Sequence, residues 1–145
     1  MRCLISGHRF FKLEQYSIDW IKFAIKESLA GLCPSYGLSG MASGVDLWFC
    51  QICSELKIPY AACIPFEEQQ DLVEEFEKEE RLKLIDQASQ VWRIRNSAML
   101  EKSDVGIVVW DGNKGGTHNV IQQLIENKKP FFWINPVSEK IWECL

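Results

Sequence analysis

The 145-residue chain has no apolar run long enough to cross a bilayer, which takes about 20 consecutive apolar residues. It also lacks a positive excess: 16 basic against 20 acidic residues leave a net charge of -4. That balance excludes a general affinity for nucleic-acid backbones, which needs a basic face. Histidine is scarce, with only His8 and His118. Of the six cysteines, Cys50 and Cys53 have the C-x-x-C spacing, but no second C-x-x-C or H-x-x-x-H completes four ligands. No metal site is expected, and the cysteines read as small buried hydrophobes in a reducing compartment. The first residues, MRCLISGHRFF, carry one early Arg and a brief apolar run broken at Gly7, so they do not read as a signal peptide. The expectation is a cytoplasmic protein with neither membrane nor nucleic acid as partner.

What is present is the composition of one globular domain spanning 1–145: 47% hydrophobic and 25% charged residues. Its most informative stretch is VGIVVWDGNKGGTHN, from Val105 to Asn119. A continuous apolar run of this length reads as a buried parallel strand covered on both faces. Beyond it, Gly112, Gly115 and Gly116 allow close backbone approach, and Thr117 stands where a helix cap is expected. Val120, Ile121, Leu124 and Ile125 then share one helical face. Strand, glycine loop and helix N-terminus together form an anion site, because the first N–H groups of a helix lack acceptors and its N-terminal end is positive.

The rest of the chain alternates in the same way. Strands are expected at Arg2–Ser6, Ser35–Ser39, Tyr60–Ile64, Gln90–Ile94 and Phe131–Asn135. A helix carrying Ile18, Ile21, Ile25 and Leu29 is expected to stop at Gly31, and another runs from the Ser43–Asp46 capping-box spacing to Leu56. The acidic run from Glu67 to Glu80, with Leu72, Phe76, Leu82 and Ile85 as an apolar seam, reads as one solvated helix continuing to about Ala88. A short helix covers Asn96–Lys102. Such alternation implies a mainly parallel sheet with right-handed crossovers, hence a three-layer α/β/α sandwich. Ligands of such sheets bind outside the carboxyl ends of the strands. Three loops reach that edge: Ser6-Gly7-His8-Arg9, Ser39-Gly40-Met41-Ala42-Ser43-Gly44, and Asp111 to Thr117. Phosphate would take the glycine N–H groups and the helix end, Arg9 or Arg95 its charge, and Asp46 or Asp111 ribose hydroxyls.

The segments GHRFFKL, SGMASGVDLW, IPFEEQ, RNSAML and KSDVGIVVWDGNKGGTHNVI, in that order, resemble the YpsA-like branch of the SLOG superfamily. These are Rossmann-like domains related to the DNA-processing protein DprA and to the LOG phosphoribohydrolases. The resemblance covers nearly the whole chain. It implies that a nucleotide or nucleotide-derived molecule, in some relatives an ADP-ribose-type signal, is held at the strand ends. The residues implied are Gly7, His8, Arg9, Ser39, Gly40, Asp46, Arg95, Asn96, Asp111, Gly115, Gly116, Thr117 and Asn119, with Met41, Gly44 and Gly112 in the same loops. The chain departs from LOG enzymes where their catalytic Glu falls on Val120, which can neither accept a proton nor stabilise an oxocarbenium ion. It departs from YpsA-like proteins in the short connection between Ala88 and Arg95. The expected function is therefore binding, as a sensor or sequestering protein, with no cofactor required. Hydrolysis of an N-glycosidic or phosphate bond through Asp46, Asp111 or His118 is the alternative, and a regulatory scaffold with a vestigial pocket is the third. A homo-oligomer is expected, because relatives commonly pair and Trp133, Ile141 and Trp142 cluster near the C-terminal edge.

Overall fold

Strand β5, Val105–Val109, is buried along its whole length, as its unbroken apolar run requires. In the computed structural model, which describes residues 1–144, it lies inside a seven-stranded sheet of order β4-β3-β2-β1-β5-β6-β7. The other strands are β1 (Arg2–Gly7), β2 (Tyr36–Ser39), β3 (Tyr60–Cys63), β4 (Gln90–Trp92), β6 (Phe131–Asn135) and β7 (Lys140–Cys144). All neighbours pair in parallel except β6 and β7.

The helices are α1 (Phe10–Leu13), α2 (Ile18–Leu32), α3 (Val45–Glu55), α4 (Lys78–Gln87), α5 (Asn96–Glu101) and α6 (Gly116–Glu126). Alternate residues of each strand divide the core in two. Ile5, Ile107 and Val109 pack with α2 and α3 on one face, while Leu4 and Val108 pack with α5 and α6 on the other. From β1 the chain steps outward through β2 and β3 to β4 with α2, α3 and α4 on one side. It then returns past β1 to β5 and β6 with α5 and α6 opposite. Right-handed crossovers running in opposite directions demand opposite faces, so the strand order reverses between β1 and β5. The fold is the expected three-layer α/β/α sandwich with a mainly parallel sheet.

Four local expectations are corrected. Helix α2 does not stop at Gly31 but runs to Leu32, and the left-handed residue closing it is Cys33 (φ 46°), whose N–H donates to the Leu29 carbonyl at 2.9 Å. Pro34 follows, and a residue before proline is disfavoured in the helical region. The acidic run is not one helix: Glu67–Leu72 and Glu75–Glu77 are short 3-10 turns, and only Lys78–Gln87 is α-helical. Of its presumed seam Ile85 packs against the core, but Leu72, Phe76 and Leu82 are exposed, whereas Val73, Glu77, Arg81 and Leu84 are buried. Strand β4 ends at Trp92 rather than Ile94. Strand β7 was not anticipated, since Lys140-Ile-Trp-Glu-Cys carries no buried face to mark it. No described helix is long and apolar enough to cross a membrane.

Candidate functional site

A cleft of about 400 Å³ opens at the reversal point, between the loop that leaves β1 and the start of α6 after β5. Open α/β sheets bind ligands where the strand order reverses, because helices on opposite faces part there. Seven expected residues come together in its walls. Gly7, His8 and Arg9 arrive from the end of β1, Asp46 from the first turn of α3, Asn96 from the start of α5, and Gly116 with Thr117 from the start of α6. The first backbone bond within α6 runs from the Asn119 N–H to the Gly115 carbonyl at 3.1 Å, so the N–H groups of Gly116, Thr117 and His118 have no acceptor within the helix. Arg9 lines the same cleft, and Lys12, one turn further along α1, joins it. Thr117 is buried inside the first turn and caps nothing; Gly115 occupies the cap position.

The loop after β2 lines the cleft through Ala42 and otherwise backs it. Ser39, Gly40, Met41 and Gly44 are buried and are structural residues of this loop. The Ser39 hydroxyl donates to the Asp46 carbonyl at 3.0 Å and accepts from the Met41 N–H at 3.2 Å. Gly44 has φ +82°, and a Cβ there would stand 2.7 Å from the Phe10 nitrogen and 2.9 Å from the His8 carbonyl oxygen. Only glycine permits both that conformation and that approach. Gly40 sits where a Cβ would press on the carboxylate of Asp46 (3.2 Å) and the amide oxygen of Asn96 (3.3 Å), which brings those two polar groups to one spot on the wall.

The capping box anticipated between Ser43 and Asp46 does not form. Gly44 is the cap residue of α3, and the Asp46 carboxylate turns back to accept from the Ala42 N–H at 3.1 Å. Ser43 instead accepts from the Phe10 N–H (3.2 Å) and donates to the Glu77 carboxylate (2.7 Å). Glu77 also accepts from the N–H groups of Gly44 (2.8 Å) and Glu74 (2.9 Å). Beside it Arg81 donates to the Met41 carbonyl (2.9 Å) and to the amide oxygens of Gln69 and Gln70 (both 2.6 Å). Gln69 in turn donates to the Gly40 carbonyl at 2.8 Å. The turns between β3 and α4 thus form a polar strut that fixes residues 40–44. Sequence reasoning missed Gln69, Glu77 and Arg81 because one acidic run gives no sign of which carboxylate turns inward.

Other expected residues lie outside the cleft walls. Arg95, Asn119, Gly112 and Gly115 are exposed and border no part of them. His118 stacks on Trp110 (centroids 5.2 Å apart, planes at 11°), and Trp110 packs against Trp133 at 5.1 Å. His118 does not line the cleft. Asp111 holds its own loop, accepting from the Asn113 N–H at 2.9 Å, while its N–H donates to His8 Nε2 at 3.2 Å. Burial would raise the Asp111 carboxyl, but the hydrogen bonds from Asn113 outweigh it and hold it below its ordinary value. His8 is shifted down, chiefly by burial, against the opposing pull of Asp111. A neutral His8 is what an Nε2 accepting a hydrogen bond requires.

Asp46 is the one carboxylate in the walls, and it makes no ion pair among the described residues. Burial pushes its carboxyl up to about 7, against the Ala42 hydrogen bond that lowers it. A folded-state value above the unfolded one means that ionisation costs stability as pH rises from about 4 to about 7. Asp46→Asn keeps an acceptor for Ala42 and removes the charge. The variant is expected to match the parent near pH 4 and to exceed it above pH 7 by an amount on the order of 4 kcal/mol at most. Urea unfolding at the two pH values checks this, and equal stabilities at pH 8 would contradict it.

Sequence reasoning also missed Phe11 and Lys12 from α1, and Val120 with Gln123 from α6. The last two were legible in principle, since Thr117, Val120 and Gln123 follow at three-residue steps along one helix face. Val120 is one of the residues lining the cleft. No group of three or more His, Cys, Asp or Glu able to hold a metal occurs among the described residues. The chain matches no protein-family model and no curated protein.

Proposed function

We propose that the protein binds a nucleotide or nucleotide-derived small molecule in this cleft, as a sensor or a sequestering protein. The observation that carries the proposal is the convergence, at the β1/β5 reversal, of the free N–H groups of α6 with Arg9 and Lys12. Helix end and cations together suit a phosphate group, and a cleft of about 400 Å³ falls within the usual range for small-molecule sites. Asp46 and Asn96, set on the adjoining wall, are placed to hydrogen-bond ribose hydroxyls. Mass spectrometry of the small molecule released on denaturation tests this reading.

A second reading, hydrolysis of the bound nucleotide, is favoured by one observation: Asp46 is a buried carboxyl poised to titrate near neutral pH inside the cleft. Against it stands Val120, where LOG-type chemistry needs a carboxylate. The binding reading is preferred because Asp46 lies on the opposite side of the cleft from that position, on α3 rather than α6.

We further propose that two copies of the chain associate. Trp133 does not support this, because it belongs to the monomer: its indole N–H donates to the Trp110 carbonyl at 2.9 Å. Support comes from Ile141 and Trp142, 37% and 48% exposed on β7, an edge strand with unpaired backbone groups. Light scattering at micromolar concentration should give a dimer mass or larger. A monomer mass would contradict the proposal.

A further inference from the structure

Residues 66–82 bury two charged side chains and expose four large apolar ones. Glu77 and Arg81 are buried, whereas Phe76 is 66% exposed, Leu72 is 52% exposed, and Phe66 and Leu82 are exposed as well. A single exposed apolar residue needs no explanation. Four in one short segment that hides a carboxylate and a guanidinium leave an apolar face without a partner. They are close together along the chain. The 3-10 turn Glu67–Leu72 rises about 2 Å per residue, which sets Phe66 and Leu72 about 12 Å apart. Leu72 and Phe76, four residues apart, are separated by at most about 14 Å. Phe76 carries the face onto α1: its ring meets that of Phe10 edge-on at 4.9 Å, and Phe11 beside it is exposed.

The face is held in place from behind. Glu77 accepts from Ser43 and Gly44, Arg81 donates to the Met41 carbonyl and to Gln69 and Gln70, and the Gln70 amide donates to the Lys78 carbonyl at 3.0 Å. These inward polar bonds keep the apolar residues turned outward, and a surface already fixed loses little entropy when it is covered.

Charge decides what covers it. Glu67, Glu68, Asp71, Glu75 and Glu79 are exposed in the same segment. Of its cations, Lys78 is paired with Glu75 at 3.0 Å and Arg81 is buried; Arg93, from the loop after β4, is paired with Glu67 at 3.6 Å. Glu68, Asp71 and Glu79 enter no ion pair among the described residues. An anionic lipid surface is repelled by these carboxylates, and a second copy of this chain carries the same net charge of -4. The complement is a positively charged partner with apolar anchors. Residues 66–82 contain no strand to which a partner strand could add, which leaves a helix. An amphipathic helix sets anchors at i, i+3, i+4 and i+7 against an apolar face and carries lysine or arginine beside them.

We infer that the outward face of residues 66–82 docks a basic amphipathic helix of a partner protein, its apolar residues against Leu72 and Phe76 and its cations against the neighbouring carboxylates. Apart from Phe11 this surface shares no residue with the cleft, and it does not depend on what the cleft holds.

Calorimetric titration with a synthetic peptide of about 18 residues, leucine on one helical face and lysine on the other, tests the inference. Two control peptides carry glutamate in place of lysine, or serine in place of leucine. The lysine–leucine peptide is expected to bind with a Kd on the order of 10 µM, and both controls at least about tenfold more weakly. Two doubly substituted proteins are compared with the parent, Leu72→Ser with Phe76→Ser and Glu68→Lys with Asp71→Lys. All four positions are exposed, so both proteins keep their fold, which circular dichroism checks. Each is expected to lose about tenfold in affinity for the lysine–leucine peptide. No binding of that peptide, or binding that neither pair of substitutions weakens, overturns the inference. Binding weakened by only one pair overturns it as well: charge alone is nonspecific attraction, and apolar contact alone removes the basic character of the partner. A dimer mass in light scattering that falls to a monomer with Leu72→Ser and Phe76→Ser would give the face to a second copy and overturn it too.

Discussion

Gly116→Val is expected to lose nucleotide binding by about a hundredfold or more while remaining folded. A Cβ built at Gly116 meets no atom within 4 Å, and the residue does not occupy the left-handed region, so the backbone accepts a side chain there. The space that the valine methyls fill is the mouth of the cleft, since Gly116 is one of its lining residues and the first residue of α6. An anion held by helix N–H groups must approach the backbone closely, and a branched side chain at the first helical residue prevents that. Losing two hydrogen bonds to a charged group, each contributing about 1.5–3 kcal/mol, accounts for the size of the effect. Calorimetry against AMP, with circular dichroism to establish the fold, measures it. A folded Gly116→Val protein with unchanged affinity would reduce the glycine loop to a plain turn.

The second large effect falls on stability. Glu77→Ala is expected to cost about 3 kcal/mol, because three donors converge on this one buried carboxylate: the Ser43 hydroxyl and the N–H groups of Gly44 and Glu74. Truncation leaves the Gly44 N–H buried with no acceptor, and each such orphaned donor costs about 1–3 kcal/mol. The Phe10 N–H bonds the Ser43 hydroxyl, so the damage reaches the loop that presents His8 and Arg9. Weaker ligand binding should therefore accompany the loss of stability, although Glu77 does not line the cleft. Urea unfolding reads the first effect and calorimetry the second. A loss below about 0.5 kcal/mol, the usual range for a surface substitution, would mean that the strut between β3 and α4 does not hold the loop after β2.

The buried parallel strands were legible because their physics is local. Val105–Val109 lies between two helical layers and can only be apolar throughout, and the glycines and helix that follow mark its carboxyl end. With the alternation of elements known, right-handed crossovers bring Gly7, Asp46, Asn96 and Gly116 to one edge without further information. What stayed hidden depends on partners distant in sequence. The carboxylates from Glu67 to Glu80 look alike in the chain, yet Glu77 alone turns inward to meet Ser43 and Gly44, over thirty residues away. Thr117 and Ser43 both stand beside helix starts, and local pattern assigns each a capping role. Tertiary contacts give Thr117 to the cleft and Ser43 to Glu77. His118 stands beside the glycine loop in sequence, but its ring stacks on Trp110 and does not line the cleft. Strand β7 has its side chains mostly in solvent, and pairing with β6 alone defines it.

Denaturing the purified protein and identifying what it releases by mass spectrometry, with Gly116→Val treated in parallel, decides whether the cleft at the ends of β1 and β5 holds a nucleotide. The parent protein is expected to release an intact nucleotide or nucleotide derivative in near-stoichiometric amount, and Gly116→Val little or none. Release of a free base with a ribose phosphate, or the same nucleotide in equal amount from Gly116→Val, would contradict this.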